Sequence, residues 1–171
     1  MSRKPESDTG AVSFSEHLAN SQVFTVLFRD GMALVEETAS YLDGPGRKES
    51  KRLQRSAALA YATESMRLTT RLMQIASWLL LHRAVKEGEM TLAQARQEKV
   101  KVKLTQPPPT DEHTLAMLPD QLRQLIERSR GVGERVYRLD ATIYAPPAPA
   151  SGDNPVERQL GLLKAAFERS A

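Results

Sequence analysis

The stretch Tyr61-Ala-Thr-Glu-Ser-Met-Arg-Leu-Thr-Thr-Arg-Leu-Met-Gln-Ile-Ala-Ser-Trp-Leu-Leu-Leu81 decides how this chain must fold. It contains neither glycine nor proline, and its apolar residues recur at helical spacing along two lines rather than one. Leu53, Ala57, Tyr61, Leu68, Leu72, Ile75 and Leu79 form the first line; Ala62, Met66, Met73, Ala76 and Leu80 form the second. A helix that is greasy on two faces is expected to pack against two neighbours. The pattern predicts a helix from about Arg47 to about Lys86, roughly 60 Å long at 1.5 Å per residue.

The two neighbours are readable on either side. From Phe14 to Leu42 one apolar face recurs through Phe24, Leu27, Phe28, Gly31, Leu34, Val35, Thr38, Tyr41 and Leu42, with a start near Ser15 or Ser21. Asp43-Gly-Pro-Gly46 is expected to stop this helix, glycine taking a left-handed cap and proline refusing extension. On the other side, Leu118, Leu122, Leu125, Ser129, Val132, Val136, Leu139 and Ile143 alternate steps of four and three, a continuous seam on a helix from about Pro119 to about Tyr144. Gly131 and Gly133 each cost about 1 kcal/mol relative to alanine there, which points to a close helix approach or a local break.

Between the second and third long helices, Gly88 ends one helix and Thr91-Leu-Ala-Gln94 has the pattern of a capping box, opening a short helix to about Lys99. Val100-Lys-Val-Lys-Leu104 reads as an extended connection and Gln106-Pro-Pro-Pro-Thr110 as a rigid loop. The expected class is all-α: an antiparallel three-helix bundle over 14–144 with a long central helix. A disordered N-terminal tail, 1–13, precedes it. A Pro-rich linker and flexible amphipathic C-terminal tail, 145–171, follow.

Composition excludes much chemistry. The 171 residues (19.0 kDa) include no cysteine, so disulfides, thiolate metal sites and cysteine nucleophiles are out. His17, His82 and His113 lie in different segments, none at metal-ligand spacing from another. No Gly-x-Ser-x-Gly occurs, and neither Gly44-Pro-Gly46-Arg-Lys-Glu-Ser50 nor Gly131-Val-Gly133 has the spacing or the preceding strand of a phosphate or dinucleotide loop. No enzyme and no cofactor are expected. The longest apolar run, Leu72–Leu81, is far short of the roughly 20 residues that span a bilayer, and the N-terminus has no signal-peptide pattern. A cytoplasmic protein that does not enter membranes is expected.

Three features remain for function. The polar line Glu64, Arg67, Arg71, Gln74, Trp78, His82 combines arginine with the single tryptophan, a composition enriched at binding hot spots. Glu64, Arg67, Arg71, Trp78 and His82 are therefore a candidate dimer or partner face, balanced against the plainer reading that Trp78 covers one end of the bundle. On the former reading Trp78→Ala weakens the dimer or a partner contact by at least ~1–2 kcal/mol. Charge is also uneven: residues 47–103 hold thirteen basic and five acidic residues, most densely at Arg47–Arg55. This basic run is either a solvated helix start or, as an alternative function, a nucleic-acid contact. Finally, Val156, Leu160, Leu163 and Phe167 share one face beyond the Pro-rich linker. They form either a tethered docking peptide or a helix folded back on the bundle.

The run from Tyr61 to Leu81, followed by His82-Arg-Ala-Val85 and Glu87-Gly-Glu-Met90 and preceded by Tyr41-Leu-Asp-Gly-Pro-Gly46-Arg, resembles the RcdA family of bacterial proteins, the regulators of CtrA degradation. The likeness covers about residues 20 to 144. It implies a helical, homodimeric, non-enzymatic adaptor that helps deliver cell-cycle regulators such as the response regulator CtrA to the ClpXP protease. It further implies partnership with other adaptors such as CpdR, recruitment to a cell pole with the protease, and a functional C-terminal tail.

Overall fold

The computed structural model describes residues 21–146, and all regular structure in them is helical. The elements are α1 (Gln22–Asp43), α2 (Pro45–Ser50), α3 (Arg55–Lys86), α4 (Leu92–Val102), α5 (Glu112–Ala116) and α6 (Asp120–Ile143). The N-terminal tail, the linker beyond Pro146 and the tail residues Val156, Leu160, Leu163 and Phe167 lie outside the described residues.

α1 begins after Ser21, which holds the N-cap position in extended backbone (φ −73°, ψ 159°). Its apolar line Phe24, Leu27, Gly31, Leu34, Thr38, Tyr41 is buried as the spacing predicts. The stop at Asp43–Gly46 is shorter than expected and ends differently. Gly44 sits at φ −114°, outside the left-handed region, and Pro45 occupies the first turn of a new helix, where its missing N–H costs nothing. The long helix therefore starts at Arg55, not Arg47, and most of the basic run belongs to α2 and the turn after it. Two tyrosines hold α2 in place. Tyr41 Oη donates to Glu49 Oε2 at 2.7 Å, and a Cβ on Gly46 would lie 2.6 Å from Tyr61 Oη and 2.8 Å from the Tyr41 ring. Only glycine admits that approach.

The three long helices share one core, with Leu68, Leu72, Ile75, Leu79, Leu122, Leu125, Val136 and Ile143 at its centre. The close helix approach falls at Gly31, where an added Cβ would meet Leu79 Cδ1 at 2.5 Å. At Gly133 the nearest contact is an ordinary 3.6 Å, and at Gly131 there is none.

Helix directions depart from an all-antiparallel bundle. α1 opposes α3, since Lys86 reaches Thr25 while Leu79 and Ile75 lie beside Gly31. It also opposes α6, since Glu37 pairs with Arg128 and Asp30 with Arg135. α3 and α6 run parallel: Arg71 meets Ser129, Trp78 meets Asp140 and His82 meets Tyr144. Parallel neighbours need a crossover. The chain makes one by turning at Gly88 (φ +76°), descending along α3 as α4, and continuing as an extended strap to α5. Thr105 bonds Gln74 and Thr110 bonds Glu64, which marks the strap's path back toward the start of α3.

The capping box at Thr91 forms in both directions: Gln94 N donates to Thr91 Oγ1 at 3.2 Å, and Thr91 N donates to Gln94 Oε1 at 2.9 Å. The segment Val100–Val102 is the last turn of this helix rather than an extended piece. The helix ends at Lys103, in left-handed backbone at φ +49°.

Candidate interaction surfaces

α3 presents its faces in the reverse of their polarity. The line Glu64–Arg67–Arg71–Trp78–His82 points beneath α4 and the strap. Trp78 and His82 are 0% exposed and Glu64 is 2% exposed, so these three belong to the core and form no surface for a partner. Arg67 is exposed and Arg71 half-buried.

The buried polar groups of Glu64, Trp78 and His82 each have a partner. Glu64 accepts from Arg67 Nη1 at 2.9 Å, the one-turn pairing the spacing predicts, and from Thr110 Oγ1 of the strap at 2.7 Å. Trp78 Nε1 donates to Asp140 Oδ1 at 2.7 Å, while Lys99 Nζ from α4 pairs with Asp140 Oδ2 at 2.6 Å. The His82 ring stacks on Trp78 at 3.9 Å between centroids. His82 Nδ1 lies 2.9 Å from the Trp78 carbonyl, which can only accept, so Nδ1 carries the proton. Nε2 of the neutral ring then accepts from Tyr144 Oη at 2.8 Å. Burial lowers the His82 pKa below its ordinary 6.5, against the smaller raising effects of the Trp78 carbonyl and Asp140. Burial likewise raises the Tyr144 hydroxyl to about 12. Lys99 Nζ stands 4.1 Å from the Tyr144 ring centroid, closing the cluster with a cation–π contact.

The second apolar line faces outward. Met66 is 72% exposed, Met73 66% and Leu80 50%, so the long helix packs its first line and leaves this one open. Leu59, assigned to neither line by the sequence reading, is 71% exposed and extends it. Leu59, Ala62, Met66, Thr69, Met73, Ala76 and Leu80 then follow steps of three and four without a break, the spacing of a helix-pairing seam. The signal lay in that regular spacing. A shallow depression of about 440 Å³ lies along it, between Ala62, Thr63, Met66, Arg67 and Thr70. Arg47, Lys48, Lys51, Arg52 and Arg55 are exposed near the start of α3 and join no ion pair among the described residues.

Among the described residues no three His, Asp or Glu side chains converge as metal ligands, and no helix is long and apolar enough to cross a membrane. The buried polar groups of Glu64, Trp78 and His82 are spent on packing, and an apolar face of α3 is left open among the described residues.

Among the described residues these features define an all-helical fold whose longest helix is clamped on one side and uncovered on another. The chain belongs to the RcdA family. Residues 15–167 match the family profile described as a protein of unknown function, DUF1465. The solved structure of RcdA from Caulobacter crescentus CB15 is similar, at 49% sequence identity and a TM-score of 0.61, over 77% of this chain and 98% of that one. The curated proteins give no match.

Proposed function

We propose that this protein is a non-enzymatic adaptor in regulated proteolysis, which brings cell-cycle regulators such as CtrA to ClpXP alongside other adaptors such as CpdR. It acts in the bacterial cytoplasm and gathers with the protease at a cell pole. It works as a homodimer, the second copy seated on the Leu59–Leu80 seam of α3. The C-terminal segment carrying Val156, Leu160, Leu163 and Phe167 is the tethered docking peptide, raising the local concentration of cargo near the protease.

The observation that carries this reading is the seam itself. A soluble helix surface of two methionines and two leucines at heptad spacing is unfavourable in water, and a protein partner relieves it. Methionine also adapts to more than one partner shape. Family membership supports the proteolytic setting. Deleting residues 145–171 tests the adaptor role. Helical circular dichroism and melting should persist while cargo degradation in a reconstituted protease assay is lost. Unimpaired delivery by the truncated protein would contradict it.

The exposed basic residues Arg47, Lys48, Lys51, Arg52 and Arg55 favour a second reading, contact with nucleic acid. Fluorescence anisotropy with duplex DNA at two salt concentrations separates the two. Tight binding that falls steeply with salt would favour the second reading, and no binding at physiological salt the first.

A further inference from the structure

A cavity of about 300 Å³ opens where the strap crosses between α3 and α6. Its walls are Arg71 of α3, Arg130, Glu134 and Tyr137 of α6, and Pro107–Pro109 of the strap. The two guanidiniums converge on it from different helices, and neither joins an ion pair among the described residues.

Arg71 is preset for a ligand. Its Nη1 donates to Ser129 Oγ at 2.9 Å, and fully buried Ser129 is fixed in turn by donating to the Ile126 carbonyl at 2.7 Å. A guanidinium has five N–H donors, so most of the Arg71 fork is left for another acceptor. The nearest acid on its own helix, Glu64, is already occupied by Arg67 and Thr110. Arg71 is partly desolvated and stands beside the like charge of Arg130, and both effects lower its pKa. Two cations held together with only the Glu134 carboxylate on the cavity wall to offset them keep a repulsion that a bridging anion would relieve.

The charge balance selects the anion. Arg71 and Arg130 against Glu134 leave one uncompensated positive charge, which suits a monoanion better than a dianion. The remaining walls are the proline run with Gln106 before it, Gly133, and the Tyr137 ring, whose hydroxyl is already donated to the Thr105 carbonyl. They suit an organic group attached to the anion.

We propose that this cavity is a binding site for a peptide carboxylate, clamped between the guanidiniums of Arg71 and Arg130. The carboxylate comes from a chain terminus or from an acidic side chain, and both present the same planar pair of oxygens to a bidentate fork. The site is separate from the seam on α3 and goes beyond the adaptor reading.

The test is a titration of the full-length protein, following the arginine Nε–Hε signals by NMR. Four probes are used: acetyl-Ala-Ala-Ala with a free carboxylate, acetyl-Ala-Asp-Ala-amide, acetyl-Ala-Ala-Ala-amide and inorganic phosphate. The Arg71 and Arg130 signals should shift saturably with the first or the second, which distinguishes the two sources, and stay still with the third. Arg130→Gln should weaken the effective probe by about tenfold or more, as expected for losing one charge-assisted pair. Its unliganded melting temperature should match or exceed that of the wild type, because repulsion is removed. If that variant fails to fold, Arg130→Lys keeps the charge, loses the fork and should still bind more weakly. Equal response to the amide probe, no saturable shift with either carboxylate, wild-type affinity in the variant, or tighter binding of inorganic phosphate than of either peptide would each overturn the proposal.

Discussion

Two faces of α3 carry opposite lessons. One bears Glu64, Trp78 and His82, each with a polar group, and there it is sealed. The other bears Leu59, Met66, Met73 and Leu80, nearly all apolar, and it is open. Polarity alone would assign them the other way round. What decides is the covering segment. The crossover that lets α3 and α6 run parallel lies over the polar face, and it brings the partners that face requires: Lys99 and Thr110 from the crossover, Asp140 and Tyr144 from α6. Buried polar groups are tolerated when each is bonded, and here they fix the register of the crossover on the bundle. The apolar face has no such cover among the described residues, and it is the face on which the proposed partner would sit.

The sharpest way to break this contrast is Trp78→Ala. Removing a fully buried indole leaves a cavity and orphans one Asp140 oxygen, so stability to urea should fall by about 3–5 kcal/mol. This replaces the expectation of a weakened association, since the indole touches no outer surface. A loss confined to dimer strength, with unfolding unchanged, would mean that the crossover does not seal the face. Next comes Glu64→Ala, which frees Arg67 and leaves Thr110 of the strap unpaired. Denaturation should register a loss of about 1–3 kcal/mol, and backbone amides of the 103–111 strap should exchange faster with deuterium.

A pH series sharpens the comparison further. His82 is neutral in the fold, with its pKa lowered from 6.5 by burial, whereas in the unfolded chain it titrates at the ordinary value. The unfolded state therefore takes up a proton first as pH falls below 6.5. The stability contributed by His82 is complete above that value and declines below it. Equilibrium unfolding of His82→Gln should show a shallower slope in that window than the wild type. Identical slopes would place the proton elsewhere. The smallest effect belongs to the open face: Met73→Ala should change the unfolding free energy of the isolated protomer by no more than about 0.5 kcal/mol.

How much of this was legible depended on whether a residue's environment is local in sequence. The seam from Leu118 to Ile143, along α6 and just before it, is buried at every position, because a single periodic face suffices to define it. The Thr91 capping box is legible for the same reason, its two bonds spanning three residues. The boundary at α2 was missed because proline stops the helix before it but is comfortable in the first turn of the helix it begins. Burial of Trp78 and His82 was not legible, since their partners Asp140 and Tyr144 lie about sixty residues away and only the parallel pairing of α3 with α6 brings them near. The second apolar line was visible as a pattern. Its exposure was not, because a chain read alone does not say which neighbours it lacks.

Sedimentation equilibrium of the full-length protein beside its Met66→Glu/Met73→Glu double variant tests the central claim most directly. On the proposed reading a second copy sits on the open face of α3, so the wild type should report twice the mass of the chain and the variant the mass of one, with equal helical circular dichroism. Equal masses for the two proteins would contradict the account.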